Sequence, residues 1–123
     1  MWSKAAVTKG GAVLLGKSVA CDGFDETRPM RVITHAHSDH LLGLKKSLQT
    51  CKAMITTTAT RDLINVLEKS FSLVGENIRT LQYEKAFEYE DEKMTLHYSD
   101  HILGSAQVLV EDEEKTRILY TSD

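Results

Sequence analysis

At 123 residues, with 41% apolar and 27% charged side chains, the chain is sized for one hydrophobic core and composed like an ordinary soluble domain. Lys and Arg number 15 against 18 Asp and Glu, a net charge of −3, so no global positive field advertises a nucleic-acid partner, although a local patch or a bound metal can still attract phosphate. No apolar run approaches the roughly 18 residues that span a bilayer, Met1-Trp2-Ser3-Lys4 lacks a leader's apolar stretch, and two cysteines, Cys21 and Cys51, make no disulfide framework; the expectation is a reduced, cytoplasmic protein without membrane contact.

Strands are expected at Ala5 to Thr8 and Ala12 to Leu15, joined as a hairpin through Gly10-Gly11. Ser18 to Cys21 reads as a short apolar strand ending at Asp22-Gly23, and Met30 to Thr34 as another that runs into a histidine cluster. Ser38 is placed to cap a helix over Asp39 to Leu48, and Ala53 to Thr57 reads as a buried strand. A second helix, capped by Thr58 or Thr60, is expected to reach Phe71, with Leu63, Ile64, Val66, Leu67 and Phe71 as its core stripe. Strands follow at Ile78 to Tyr83, Ala86 to Tyr89, Met94 to Tyr98, Ala106 to Val110 and Arg117 to Thr121. The acidic stretches Glu88 to Glu92 and Glu111 to Glu114 read as solvated strand ends and turns.

The chemistry is concentrated where the Met30 to Thr34 strand ends. His35, His37, Asp39 and His40 place four candidate ligands within six residues, in a chain with five histidines. Alternation along an extended backbone points His35 and His37 to the same side, where both imidazoles can reach one metal. The turn that follows presents Asp39 and His40 to a neighbouring position, and paired nitrogen and carboxylate sets of this kind suit two zinc ions a few ångströms apart.

The string Thr34-His35-Ala36-His37-Ser38-Asp39-His40 resembles the HxHxDH signature of the metallo-β-lactamase superfamily. Further residues follow in the same order: Asp22 ending an early strand, His101 as a later single histidine, and Asp123 closing a last strand. The segment His101-Ile102-Leu103-Gly104-Ser105-Ala106 is most similar to the β-CASP nucleases of that superfamily, which include archaeal messenger-RNA 3′-end-processing factors. This resemblance implies an α/β fold, the N-terminal part of an αβ/βα four-layer sandwich with a mixed sheet and flanking helices. It implies that His35, His37 and His101 bind one zinc, that Asp39 and His40 bind a second, and that Asp123 bridges the two. Attack of metal-activated water on a phosphodiester is the implied reaction, with Asp39 and His40 catalytic and Asp39 taking a proton. Asp22 would hold the histidine loop by hydrogen bonds without touching metal. Ser105 could offer a phosphate its hydroxyl or amide, with a tight turn accounting for it equally; Lys45, Lys46 and Lys52 could guide a nucleic-acid backbone, although a solvated helix face is the preferred reading of the lysines.

RNA is the expected substrate ahead of DNA, and a homodimer is left open for a full-length form. The β-CASP insertion and the superfamily's last metal-binding histidine have no counterpart in these 123 residues, so residues 1–123 read as an incomplete domain, expected to bind zinc weakly and to show little nuclease activity. Other readings stay open: a ribonuclease Z-like enzyme, a thioester hydrolase of the glyoxalase II sort, and an inactive partner or scaffold.

Overall fold

In the computed structural model the described residues are 4–37, 41, 43–67, 73 and 77–122. Six strands form a mixed sheet in the order of the chain: β1 (Ala5–Val7), β2 (Val13–Leu15), β3 (Val19–Cys21), β4 (Met30–Val32), β5 (Ala53–Thr56) and β6 (Ile78–Thr80). The first three run antiparallel; from β3 to β6 each pairing is parallel. The parallel crossovers carry the helices α1 (Leu44–Thr50) and α2 (Thr58–Leu67). A second, antiparallel sheet has the order β10 (Arg117–Tyr120), β9 (Ala106–Glu111), β8 (Glu92–Tyr98), β7 (Ala86–Tyr89).

Two apolar layers follow from strand alternation. Met30 and Val32 face the second sheet, joining Leu15, Val19, Cys21 and Ile55 against Met94, Leu96, Val108 and Val110. Ile33 and Met54 face the other way, packing with Leu44 and Ile64 from the two helices. The architecture is therefore helices on a mixed sheet on a second sheet, three of the four layers expected. Arg31 lies in the helix-facing layer, fully buried, and its guanidinium donates to Ser47 Oγ of α1 at 3.0 Å. Burial lowers its pKa to about 10, opposed by the Asp22 carboxylate.

Three expectations are corrected. The first helix begins at Leu44, because Gly43 precedes it in the left-handed region at φ 66°, where an added β-carbon would stand 2.7 Å from Phe24 Cβ; residues 38–40, where Ser38 was to cap it, lie outside the described residues. Of the apolar stripe on α2 only Ile64 is fully buried, on the row it shares with Thr60, while Val66 and Leu67 are 73% and 63% exposed. Val66 sits two residues on, about 200° around the helix from Ile64. Phe71 lies outside the described residues. Finally, not all of the acidic residues are solvated. The Glu92 carboxylate is buried and accepts the backbone N–H groups of Lys17 (2.7 Å) and Ser18 (3.0 Å). Asp112 is buried too, pairing with Lys4 at 2.8 Å and accepting from the N–H groups of Glu114 and Thr116. Among the described residues no helix is long and apolar enough to cross a membrane.

Candidate metal centre

The C-terminal ends of β3 and β4 meet the start of β9 at one end of the sandwich. Open sheets with parallel strands place their ligand sites at such ends. The backbone beyond β4 remains extended: Ile33 N donates to Ile55 O at 3.0 Å, and Ala106 N at the head of β9 donates to Thr34 O at 2.9 Å. This second bond ties the histidine segment of one sheet to the 99–105 loop of the other. That loop carries His101.

His35, His37 and His101 converge. Their candidate ligand atoms all lie within 4.8 Å of one another, and the ring centroids are 4.7, 4.8 and 4.9 Å apart with interplanar angles of 82°, 86° and 86°. His35 is buried and forms the floor; His37 and His101 are exposed and form the rim. His37 Nδ1 and His101 Nε2 stand 3.3 Å apart. Two nitrogens bound to one tetrahedral zinc at about 2.0–2.1 Å would be about 3.3–3.4 Å apart. The separation is long for an N–H hydrogen bond and right for one edge of a metal tetrahedron. One edge of the trio thus has the spacing of two ligands on one metal ion, and the three imidazoles are grouped closely enough to hold one.

The loop bearing His101 is fastened at Gly104. Its carbonyl accepts from Thr57 Oγ1 (2.7 Å) and Thr60 Oγ1 (2.9 Å) at the start of α2. Its φ is 84°, and a β-carbon there would stand 2.6 Å from Thr60 Oγ1 and 2.7 Å from Thr60 N. Only glycine allows the loop to sit this close. Ser105 is buried: its hydroxyl donates to Ser99 O at 2.7 Å and accepts from Ile102 N at 3.3 Å, and its N–H donates to Ile102 O. Both groups that could have met a phosphate close the turn instead.

Asp22 sits beneath the cluster, 3% exposed and at φ 56°. It accepts from Thr34 N (2.9 Å), Thr34 Oγ1 (2.7 Å) and the Tyr120 phenol (3.0 Å). Thr34 Oγ1 also lies 2.9 Å from His35 Nδ1 and 2.9 Å from Ser122 Oγ. Burial, reinforced by the Asp22 carboxylate, pushes the Tyr120 phenol well above the ordinary tyrosine range. Thr34, Tyr120 and Ser122 were not singled out by the sequence. Thr34 stood next to the histidine motif, but the other two reach the site only through the pairing of β10.

Lys45 and Lys46 are exposed on α1, the Lys46 ammonium lying 5.6 Å from the centre of the Phe24 ring. His97 is on β8, paired with Glu84 at 2.8 Å, apart from the trio. Asp39, His40 and Asp123 lie outside the described residues. Beside His101 opens a cavity of about 650 Å³, walled by the start of α2, by Leu81 to Tyr83 and by Tyr98 to Gly104.

No protein-family model matches the chain, and no curated protein sequence matches it. Solved structures do. A metallo-β-lactamase from Cronobacter sakazakii with a HARLDQ motif superposes with a TM-score of 0.72 at 14% identity, over 97% of this chain and 60% of that one. The metallo-β-lactamase GOB-18 from Elizabethkingia meningoseptica gives 0.65 at 19% identity, over 87% and 52%. Igni18, a metallo hydrolase from the archaeon Ignicoccus hospitalis, gives 0.61 at 14%, over 91% and 56%. The fold is that of the metallo-β-lactamases. The chain spans little more than half the length of these metallo-β-lactamase-fold structures.

Proposed function

We propose that His35, His37 and His101 hold one zinc ion and that the chain is part of a metal-dependent hydrolase. The observation that carries this reading is the meeting of the three imidazoles, with the 3.3 Å edge between His37 Nδ1 and His101 Nε2. Three nitrogen donors and no thiolate suit zinc, though imidazole also serves other transition metals. Three protein ligands leave a fourth position open, the pattern of catalytic rather than structural zinc sites. When bound, such an ion supplies Lewis acidity, lowering the pKa of water toward neutrality and drawing charge from a substrate oxygen.

The chain's own residues do the rest. Buried His35 anchors the site from below, and exposed His37 and His101 leave its rim open to a substrate. The cavity beside His101 gives the substrate a place to lie. In the finer reading Asp39 and His40 would hold a second zinc with Asp123 as a shared ligand, and Asp39 would orient the attacking water and take its proton. The substrate is a nucleic-acid phosphodiester, RNA ahead of DNA, in a β-CASP-type enzyme. What supports that choice is the string His101 to Ala106 together with the Asp39-His40 pair.

The test is incubation of the zinc-loaded protein with labelled single-stranded RNA, single-stranded DNA and a chromogenic cephalosporin. Slow cleavage of RNA that stops with a chelator and in His37→Ala is the expected result. Cephalosporin opening without cleavage of either nucleic acid would overturn the nuclease reading and leave the hydrolase standing. Failure to bind zinc would remove both.

A further inference from the structure

We infer that the Thr34 hydroxyl is a positioning group that fixes His35 in its Nδ1–H tautomer, so that Nε2 carries the lone pair offered to a metal. A hydroxyl has one proton to donate and two lone pairs to accept with. Thr34 Oγ1 has three polar neighbours: Asp22 Oδ2 at 2.7 Å, His35 Nδ1 at 2.9 Å and Ser122 Oγ at 2.9 Å. The carboxylate can only accept, and it is also the shortest contact, so the single Thr34 proton goes to Asp22. With that proton committed, a bare His35 Nδ1 would set two lone pairs against each other at 2.9 Å in a buried site. His35 Nδ1 must therefore carry the hydrogen and donate it to Thr34. The Ser122 hydroxyl donates to the remaining lone pair, and the capacity of Thr34 Oγ1 is filled.

The backbone makes this arrangement rigid. Thr34 N donates to Asp22 Oδ1 while its hydroxyl donates to Oδ2, so the carboxylate grips Thr34 at both ends. Thr34 O is held by Ala106 N, and Thr34 itself is wholly buried. The Tyr120 phenol, donating to the same Oδ2, holds the carboxylate from the other sheet. Partners that orient a ligating histidine typically change metal affinity by about 10–100-fold.

Two variants and one spectrum test this. Thr34→Val keeps the shape and removes the hydroxyl; Thr34→Ser keeps the hydroxyl. Zinc affinity, read by competition with a chromophoric chelator, should fall about 10–100-fold in the valine variant and stay within about threefold of the parent in the serine variant. A long-range ¹H–¹⁵N spectrum of the metal-free parent protein should show His35 with a protonated Nδ1 and a bare Nε2 at mildly alkaline pH. The affinity arm rests on the zinc reading above, whereas the spectrum does not. It decides the inference even where zinc fails to bind or the valine variant fails to fold. A His35 protonated at Nε2, an unchanged affinity in Thr34→Val, or an equal loss in both variants would overturn the inference.

Discussion

His37 and His101 are 64 residues apart in sequence, yet His37 Nδ1 and His101 Nε2 stand 3.3 Å from each other. Neither residue belongs to the packed core, since both are exposed. His101→Ala should therefore leave the unfolding free energy of the metal-free protein within about 0.5 kcal/mol of the parent, the usual range for exposed sites. Zinc affinity should fall by more than about 100-fold, because losing a ligand exceeds the effect of losing a partner behind a ligand. Chelator competition and urea unfolding of the same preparations check both halves.

Gly104 offers a sharper separation of structure from chemistry. Its left-handed backbone and the 2.7 Å approach of a β-carbon to Thr60 N leave no room for a side chain without moving α2 or the His101 loop. Gly104→Ala should cost about 1–3 kcal/mol of stability, the range for a strained left-handed residue. It should also weaken zinc binding, although position 104 contributes no ligand. Thr60→Ser retains the hydroxyl that donates to Gly104 O and should change neither by much. Equal zinc affinity in Gly104→Ala and the parent would show that the loop's seat does not position His101.

How far this was legible in the sequence depends on the range of each interaction. His35 and His37 could be placed on one side because strand alternation is local. The strands were legible for the same reason: Ala86–Tyr89 was read to the residue, and Glu92–Tyr98 was missed only at its first two positions. The start of α1 was misread because Ser38 looks like a cap, whereas the left-handed Gly43 is where the helix begins. The α2 stripe was misread because helical spacing shows which residues align, not how much of the row a sheet will cover. Most opaque were the residues acting across the sandwich. Tyr120 and Ser122 reach Asp22 and Thr34 only because β10 pairs with β9. Nothing local marks Tyr120, and Ser122 has only its place beside Asp123 to mark it.

Glu92 is another long-range residue, one that holds a turn. Buried at 7% exposure, it accepts two backbone N–H groups in the turn between β2 and β3. Removing it leaves the Lys17 and Ser18 donors without that acceptor, and such groups cost about 1–3 kcal/mol each when water cannot replace the partner. Glu92→Ala should destabilise by about 2–4 kcal/mol on the same basis, part of the turn remaining open to water. Glu92→Gln retains an acceptor oxygen and should lose less. Urea unfolding at neutral pH distinguishes the two, and zinc affinity should be unchanged in the folded fraction of each.

Tyr120 gives a prediction in pH. Its phenol titrates well above the ordinary tyrosine range in the folded protein, because burial and then the Asp22 carboxylate disfavour the phenolate. Unfolding returns it to a value near 10. Below that value the phenol is protonated in both states and its contribution is fully present. Above it the unfolded chain releases the proton while the folded protein retains it, so stability falls as pH rises toward the folded value. Tyr120→Phe abolishes this term and the hydrogen bond to Asp22 together. The variant should be about 1.5–3 kcal/mol less stable at pH near 8, the worth of a hydrogen bond to a charged group. It should lose less stability than the parent between that pH and about 11, and the two curves should converge. Lysine and cysteine titrations are common to both proteins, so the difference between the curves isolates Tyr120. Parallel curves through this interval would mean that the phenol ionises as readily folded as unfolded, and that the Asp22 contact does not hold it in its protonated form.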